Sequence, residues 1–489
     1  MKQRKLLCAM LALLTVGSVL ASCGESAASG GKTEQQTNNA NTEAVTAEPT
    51  EQDIRNAIPD DLPEKDYGGY TFTWLASPGE ANYYMETATG DMMDDIRYER
   101  QTKVEERFNI KIKVERSGDI AQDYKLFMQA VSAGDDAYDC AVLHQITAGP
   151  GLITAHAILD WNEVPYIQLE KPWWNQTINK TINIDGKQFY IAGYVTLPTP
   201  FCMFVNKKMM DDYDYEDIYT TVLDHRWTLD LLSQMCLDVS LDLNGDGKYS
   251  YEADQFGLSF NNDNQTLNFM YAADIQSVII DENGEPVPNI DTPKMQDLVD
   301  KVRILALEGN RTILTDYNTQ GEKGTNTFKD GRLMFLASGV DSAASLRDME
   351  LDFGLIPYPL YDEAQSDYHT HVDAWNGMLC IGKTAQDTER TGIIVEAFAA
   401  ETYKMVMPVY YEKALGDKYL RDETSVQMMD ILFDGIIYDF GYIFDNWNGC
   451  TWTLPRTLNQ KNSVSKYWAS IQKKVTKWYD DLYKAVQED

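Results

Sequence analysis

Between Tyr70 and Leu143 the chain alternates strand-like and helix-like patterns, and few folds accept that order. Tyr70-Thr71-Phe72-Thr73-Trp74-Leu75 is β-rich and alternating, while Asp94 to Phe108 carries Ile96, Val104 and Phe108 on one side and charges on the other. Ile110-Lys111-Ile112-Lys113-Val114 predicts a second strand, and Tyr124 to Val131 a second helix ended by Ala133-Gly134. Asp139 to Leu143 predicts a third strand, uncharged after its first residue and so buried. Strand, helix, strand, helix, strand builds a parallel sheet with helices on both faces. The fold class expected is therefore α/β. Such sheets bind ligands in the crevice beyond the carboxyl ends of their strands.

Further along, the same vocabulary recurs less regularly. Strands are predicted at Phe189–Val195, Phe201–Val205, Phe256–Phe260, Leu333–Ala337, Phe353–Pro357 and Gly377–Ile381, and helices at Leu229–Val239 and Pro293–Leu307. From Thr391 the pattern is mostly helical, through Ala399–Lys404, Ser425–Phe433 and Ser465–Val486. No fixed-period repeat is present.

The chain opens with Lys2, Arg4 and Lys5, then an apolar run from Leu6 to Leu20 that is short for a membrane span. Leu20-Ala21-Ser22-Cys23 follows and resembles the bacterial lipobox. That resemblance implies cleavage before Cys23, a diacylglyceryl group on its sulfur, and a lipid anchor on the extracellular face of the cell membrane. An ordinary secretory signal with a chance cysteine is the alternative. From Gly24 to about Asp61 the chain has almost no large apolar residue and reads as a flexible tether.

A formal net charge of −34 repels phosphate backbones, which excludes nucleic acid as an expected partner. Of the seven cysteines, Cys140, Cys202, Cys236, Cys380 and Cys450 lie in the folded part at wide spacing without a Cys-x-x-Cys pair. Buried free thiols are expected, since several of these cysteines sit inside apolar stretches.

Five segments carry a wider resemblance. They are Lys171-Pro172-Trp173-Trp174-Asn175 with Ile184 to Tyr190, Phe204-Val205-Asn206-Lys207-Lys208, Trp227 to Leu232, Phe328-Lys329-Asp330-Gly331-Arg332, and Phe353 to Pro359. With them the chain resembles an extracellular solute-binding lipoprotein of a bacterial ABC importer, of the large sugar- and oligosaccharide-binding, family 1-like type. The resemblance implies a periplasmic-binding-protein-like type II fold: two α/β lobes, a hinge, and a ligand cleft between them. Residues 1–22 are then the signal peptide and 23–65 the lipidated cysteine and disordered tether. Residues 66–197 plus about 358–410 form lobe 1, and 198–357 plus about 411–489 form lobe 2. The implied partners are a small-molecule ligand, expected to be a mono- or oligosaccharide, and a membrane permease; a monomer without catalytic cofactor or enzymatic activity is expected. An extracellular glycan-active enzyme and a peptide-binding or sensor lipoprotein are the alternatives.

Sugars stack their C–H faces on aromatic rings and offer hydroxyls to amides and carboxylates. The ligand-binding residues expected beyond strand ends are Tyr83, Tyr84, His144, Gln145, Ser338, Asp341, Trp375 and Trp447, with Trp452 near the last. Each aromatic has a core role as its alternative. Trp173 and Trp174 read as structural. Asp242-Leu243-Asn244-Gly245-Asp246-Gly247-Lys248-Tyr249-Ser250 matches the start of an EF-hand-like loop. Asp242, Asn244, Asp246 and Ser250 would supply side-chain oxygens, Lys248 its carbonyl, and Asp254 or its neighbour Glu252 the closing carboxylate of a structural Ca2+ site. Position twelve is Ala253 rather than Glu, so a metal-free Asx-rich turn is the alternative. His369 and His371 read as a solvated loop pair. Ser463-x-x-Lys466 and Ser470-x-x-Lys473 lack the companion motifs of serine enzymes.

Overall fold

The apolar alternation of the first strand decides the first sheet. In a computed structural model describing residues 49–77, 84–316, 321–346, 349–410, 423–458 and 463–488, β1 (Tyr70–Ala76) lies between β2 (Ile110–Glu115) and β3 (Cys140–Leu143). Both pairings are parallel. On β3, Cys140 and Val142 join the core on one face with Phe72 and Trp74, while Ala141 and Leu143 join the opposite core with Leu75. This is the period of two made visible, and it explains the strand's lack of charge. Edge strand β2 instead buries Ile110 and Ile112 and exposes Lys111 and Lys113.

A short helix α1 (Glu51–Asn56) precedes the sheet, and α2 (Met92–Phe108) and α3 (Ile120–Ala133) make the crossovers. Helix α2 stops because Asn109 turns left-handed, φ 49°, and returns its amide to the Glu105 carbonyl. After β3 comes α4 (Gln145–Thr154), kinked at Gly149-Pro150. A Cβ on Gly149 would stand 2.4 Å from the Ile443 carbonyl oxygen, so only glycine lets the tail approach here.

The chain then leaves the first sheet. β4 (Phe201–Asn206) and β5 (Phe256–Asn261) open a second one, followed by α5 (Asn264–Ala272) and a small hairpin, β6 (Val278–Ile280) with β7 (Pro286–Pro288). β8 (Thr312–Thr315), β9 (Leu333–Gly339) and β10 (Phe353–Ile356) complete the order β10-β4-β9-β5-β8. β5 is parallel to β8 and β9, and β4 is antiparallel to β9 and β10. β11 (Met378–Cys380) returns to the first sheet, antiparallel to β3, giving β11-β3-β1-β2. Two sheets, each with its own core, are thus linked by chain crossing at 197–201 and 357–378.

Helix α6 (Thr388–Glu401) continues into a π-helical turn, Thr402–Val406. Helices α7 (Glu423–Asp434), α8 (Phe440–Phe444) and α9 (Val464–Glu488) form much of the tail. All five cysteines from Cys140 onward are buried and free. Among the described residues no helix is long and apolar enough to cross a membrane.

Three expectations change. Phe189–Val195 makes only isolated bridges, Gly193 to Trp174 and Ile191 to Leu379. The Asn179 amide accepts from Ala192 N at 2.8 Å and donates to its carbonyl at 3.0 Å, occupying the groups a neighbouring strand would need. The tether is ordered from Thr50: Thr50 and Asp53 form a capping box on α1, Asp60 pairs with Arg107 at 2.5 Å, and Asp61 with Lys171 at 2.6 Å. The tail, expected wholly in the second lobe, divides. Helix α7 packs on β10, whereas Val475, Tyr479, Leu482 and Val486 of α9 enter the core under the first sheet with Leu143 and Leu152. That stripe recurs every three or four residues, and the apolar face of α4 is the surface that covers it.

Candidate functional site

Strand β5 runs apolar and buried to Phe260, then five polar residues follow, Asn261-Asn262-Asp263-Asn264-Gln265, turning the chain into α5. Strand β9 likewise ends at Ser338 and Gly339, ahead of Asp341. These carboxyl ends border a cavity of about 560 Å³ between the two sheets. Arg97 of α2 reaches it from the first sheet, and the crossing segments add Thr199, Asp373 and Trp375. A cleft at the carboxyl ends of parallel strands is where this architecture places ligands.

Its floor is a hydrogen-bonded network. Asn264 Nδ2 donates to Asp373 at 2.8 Å, and Trp375 N donates to the other Asp373 oxygen at 2.9 Å. Tyr442 OH donates to Asn264 Oδ1 at 3.1 Å and accepts from Ala374 N at 3.1 Å. Burial pushes the Asp373 carboxyl up to about 6 against these donors, and the nearby Asp263 and Asp341 carboxylates push the same way. Asp341 opens on the cavity, and the protein around it raises its carboxyl too. Burial also raises Asp263, which Arg456 partly offsets.

Above the floor lies an aromatic array. The His144 ring meets Trp375 edge-on, centroids 5.5 Å apart at 88°, and stacks on Trp447 at 5.7 Å and 21°. Trp447 stacks in turn on Trp452 at 5.5 Å and 27° and stays 41 % exposed. Burial lowers His144 to about 4, so the ring is neutral at pH 7.

Ser338, Asp341 and Trp375 line the cavity; His144 stands against Trp375, and Trp447 against His144. Gln145 is buried, holding the crossing segment through Nε2 to the Asn376 carbonyl at 2.5 Å. Tyr84 instead lines a small apolar cavity with Trp74, Val114 and Phe398. Tyr83, Cys23 and residues 1–22 lie outside the described residues. Asn261, Asn264 and Asp373 are additional cleft residues; a polar run directly behind a buried strand is their signal in the sequence. His371 is buried, with Nδ1 2.9 Å from Asn268 Oδ1, and burial lowers it to about 3, so the pair is not a solvated one. Trp173 and Trp174 are buried and both donate indole N–H to Glu396.

In the 242–254 loop the side-chain oxygens face backbone amides. Asp242 accepts from Gly245 and Gly247 N, Asn244 from Asp246 N, and Asp246 from Lys248 N. Buried Asp254 accepts from Leu243 N at 3.0 Å and Ser250 N at 2.7 Å. Among the described residues no group of three or more His, Cys, Asp or Glu is placed to hold a metal ion.

The whole arrangement superposes on known structures. One is the galacto-N-biose-/lacto-N-biose I-binding protein of a Bifidobacterium longum ABC transporter, in complex with lacto-N-biose: TM-score 0.58, 13 % identity, 86 % of this chain and 99 % of that one. The chain has the solute-binding-protein fold. A second such structure is the GacH receptor of Streptomyces glaucescens, solved unliganded and with acarbose: TM-score 0.57, 11 % identity, 84 % and 99 % covered. A third is UgpB from Mycobacterium tuberculosis with glycerophosphocholine: TM-score 0.56, 14 % identity, 84 % and 99 % covered. No family model and no curated protein matches the chain. In solute-binding-protein terms the two sheets are the cores of the two lobes, and the cavity lies in the cleft between them.

Proposed function

We propose that this chain captures a carbohydrate in the interlobe cleft and delivers it, chemically unchanged, to an ABC permease. The observation that carries the reading is the 560 Å³ cavity, bordered by both lobes, with Trp375 as a ring surface and asparagine, serine and aspartate side chains around it. Several structural neighbours hold sugars or sugar analogues. A ligand touching both lobes favours their closed arrangement by its differential affinity, and the closed form is what a permease would read. The proposal includes a lipid anchor at Cys23 on the extracellular face, a monomeric protein, and Ca2+ at the Asp242–Asp254 loop as a structural ion. Ca2+ would supply charge neutralisation there once Asp242, Asn244, Asp246 and Asp254 turn from the backbone amides they face, with Ser250 and the Lys248 carbonyl as further holders.

A thermal-shift screen of mono-, di- and oligosaccharides against peptides and polyamines tests the central claim. A ligand at a hundred times its Kd adds about 2.7 kcal/mol of stability. A melt moved by peptides and by no sugar overturns the carbohydrate reading, and turnover of a bound glycan overturns the claim of unchanged delivery.

A further inference from the structure

We propose that the carbohydrate taken by this cleft carries a protonated amine, so that an amino sugar is selected over its neutral counterpart. The inference rests on the carbohydrate reading and adds the ligand's charge to it. Asp341, after β9, and Asp373, in the crossing segment before β11, come from different parts of the chain and line one cavity. Among the described residues the cavity lining has no lysine, and Arg97, which lines it, lies 3.5 Å from Asp94 on its own helix. Asp263 adds a third carboxylate beside them, faced by Arg456.

Physical chemistry turns this into selectivity. A neutral sugar that expels water from the cleft desolvates exposed Asp341 and also Asp373, whose partners Asn264 and Trp375 N are uncharged, and it supplies hydroxyl donors but no counter-charge. Desolvation by the surrounding protein pushes both carboxyls upward, and at Asp373 the Asp263 and Asp341 carboxylates push the same way. An ammonium group reaching Asp341 or Asp373 removes that penalty through a charge-assisted hydrogen bond. Independently of the acids, Trp375 offers a ring to the same space, and indole faces attract cations. The negative field of the whole chain, formally −34, concentrates cations at the opening.

The test uses matched sugars that differ at one carbon: glucosamine, N-acetylglucosamine and glucose, the galactose equivalents, and the dimers diglucosamine, diacetylchitobiose and cellobiose. Affinities are measured by calorimetry on the whole protein. The amine form of a bound pair is expected to bind about tenfold tighter than the hydroxyl form at low salt, and the margin to shrink in 0.5 M salt. Asp341→Asn, whose side chain opens on the cavity, is expected to cut the preference to about threefold or less, and Asp373→Asn to do the same. Circular dichroism checks that both variants fold, and Asp341→Asn decides if Asp373→Asn does not. Equal affinity for amine and hydroxyl forms, or a preference that survives both substitutions, overturns this inference and leaves carbohydrate capture standing. A panel in which no sugar binds and a peptide does overturns carbohydrate capture itself.

Discussion

Glu396 holds three donors, two of them buried indoles, and removing it has a calculable result. Its carboxylate accepts from the Trp173 and Trp174 indoles at 2.9 Å each and from Gln168 N at 3.2 Å. Both indoles are fully buried, so Glu396→Ala leaves donors that no water reaches. Each orphaned donor costs about 1–3 kcal/mol, a gross loss of about 3–9 kcal/mol. An opposing effect exists. Burial raises the Glu396 carboxyl from 4.5 to about 7 despite its three donors, so holding the charge at high pH destabilises the fold. A shift of that size corresponds to about 3 kcal/mol, which the alanine variant recovers only where the wild-type group is ionised. The native state therefore binds the proton more tightly than the unfolded chain. This contribution is full below the unfolded value of 4.5 and is lost as pH rises through about 7. The expected deficit of Glu396→Ala is about 0–6 kcal/mol at pH 8 and about 2–3 kcal/mol larger at pH 5. Urea unfolding of wild type and variant at both pH values measures it. The difference between the two proteins isolates Glu396 from Asp445 and Asp373, whose carboxyls burial also raises, to about 7 and about 6. A deficit equal at pH 5 and pH 8 refutes the raised carboxyl. A deficit under about 1 kcal/mol at both refutes the claim that the indoles lose their only good acceptor.

Tyr442→Phe removes the hydroxyl that bridges Asn264 and Ala374 under the cleft. It is expected to lower stability by about 1–3 kcal/mol and to weaken sugar binding, read by calorimetry on the folded variant; unchanged affinity would detach that bridge from the site. Asp254→Ala strips the acceptor from two amides in the 242–254 loop and is expected to cost about 2–4 kcal/mol in the presence of a chelator. Ca2+ is expected to raise the wild-type melting temperature above its value in chelator, and coincident melts would leave the loop a metal-free turn.

Short-range chemistry made much of the fold readable. The lysine–isoleucine alternation of β2 and the uncharged run of β3 state which faces are covered, because side chains alternate across a strand. Phe189–Val195 carries the same apolar signal and yet is no ladder strand, since the Asn179 side chain, ten or more positions earlier, takes Ala192's backbone groups. Nothing local announces that competitor. At the site, Ser338 and Asp341 could be named from the end of an apolar strand, whereas Tyr84 at another strand end packs elsewhere.

What the sequence determined by itself was the order of strands and helices, the acidity, and the polar runs at strand ends, because each depends on neighbours in the chain. Tertiary structure alone brought His144, Trp375 and Trp447 into one aromatic array and set Asp341 beside Asp373 on a shared cavity. It alone sent α9 back beneath the first sheet. These are long-range contacts, and their partners are selected by shape, burial and charge in three dimensions, which periodicity along the chain does not encode.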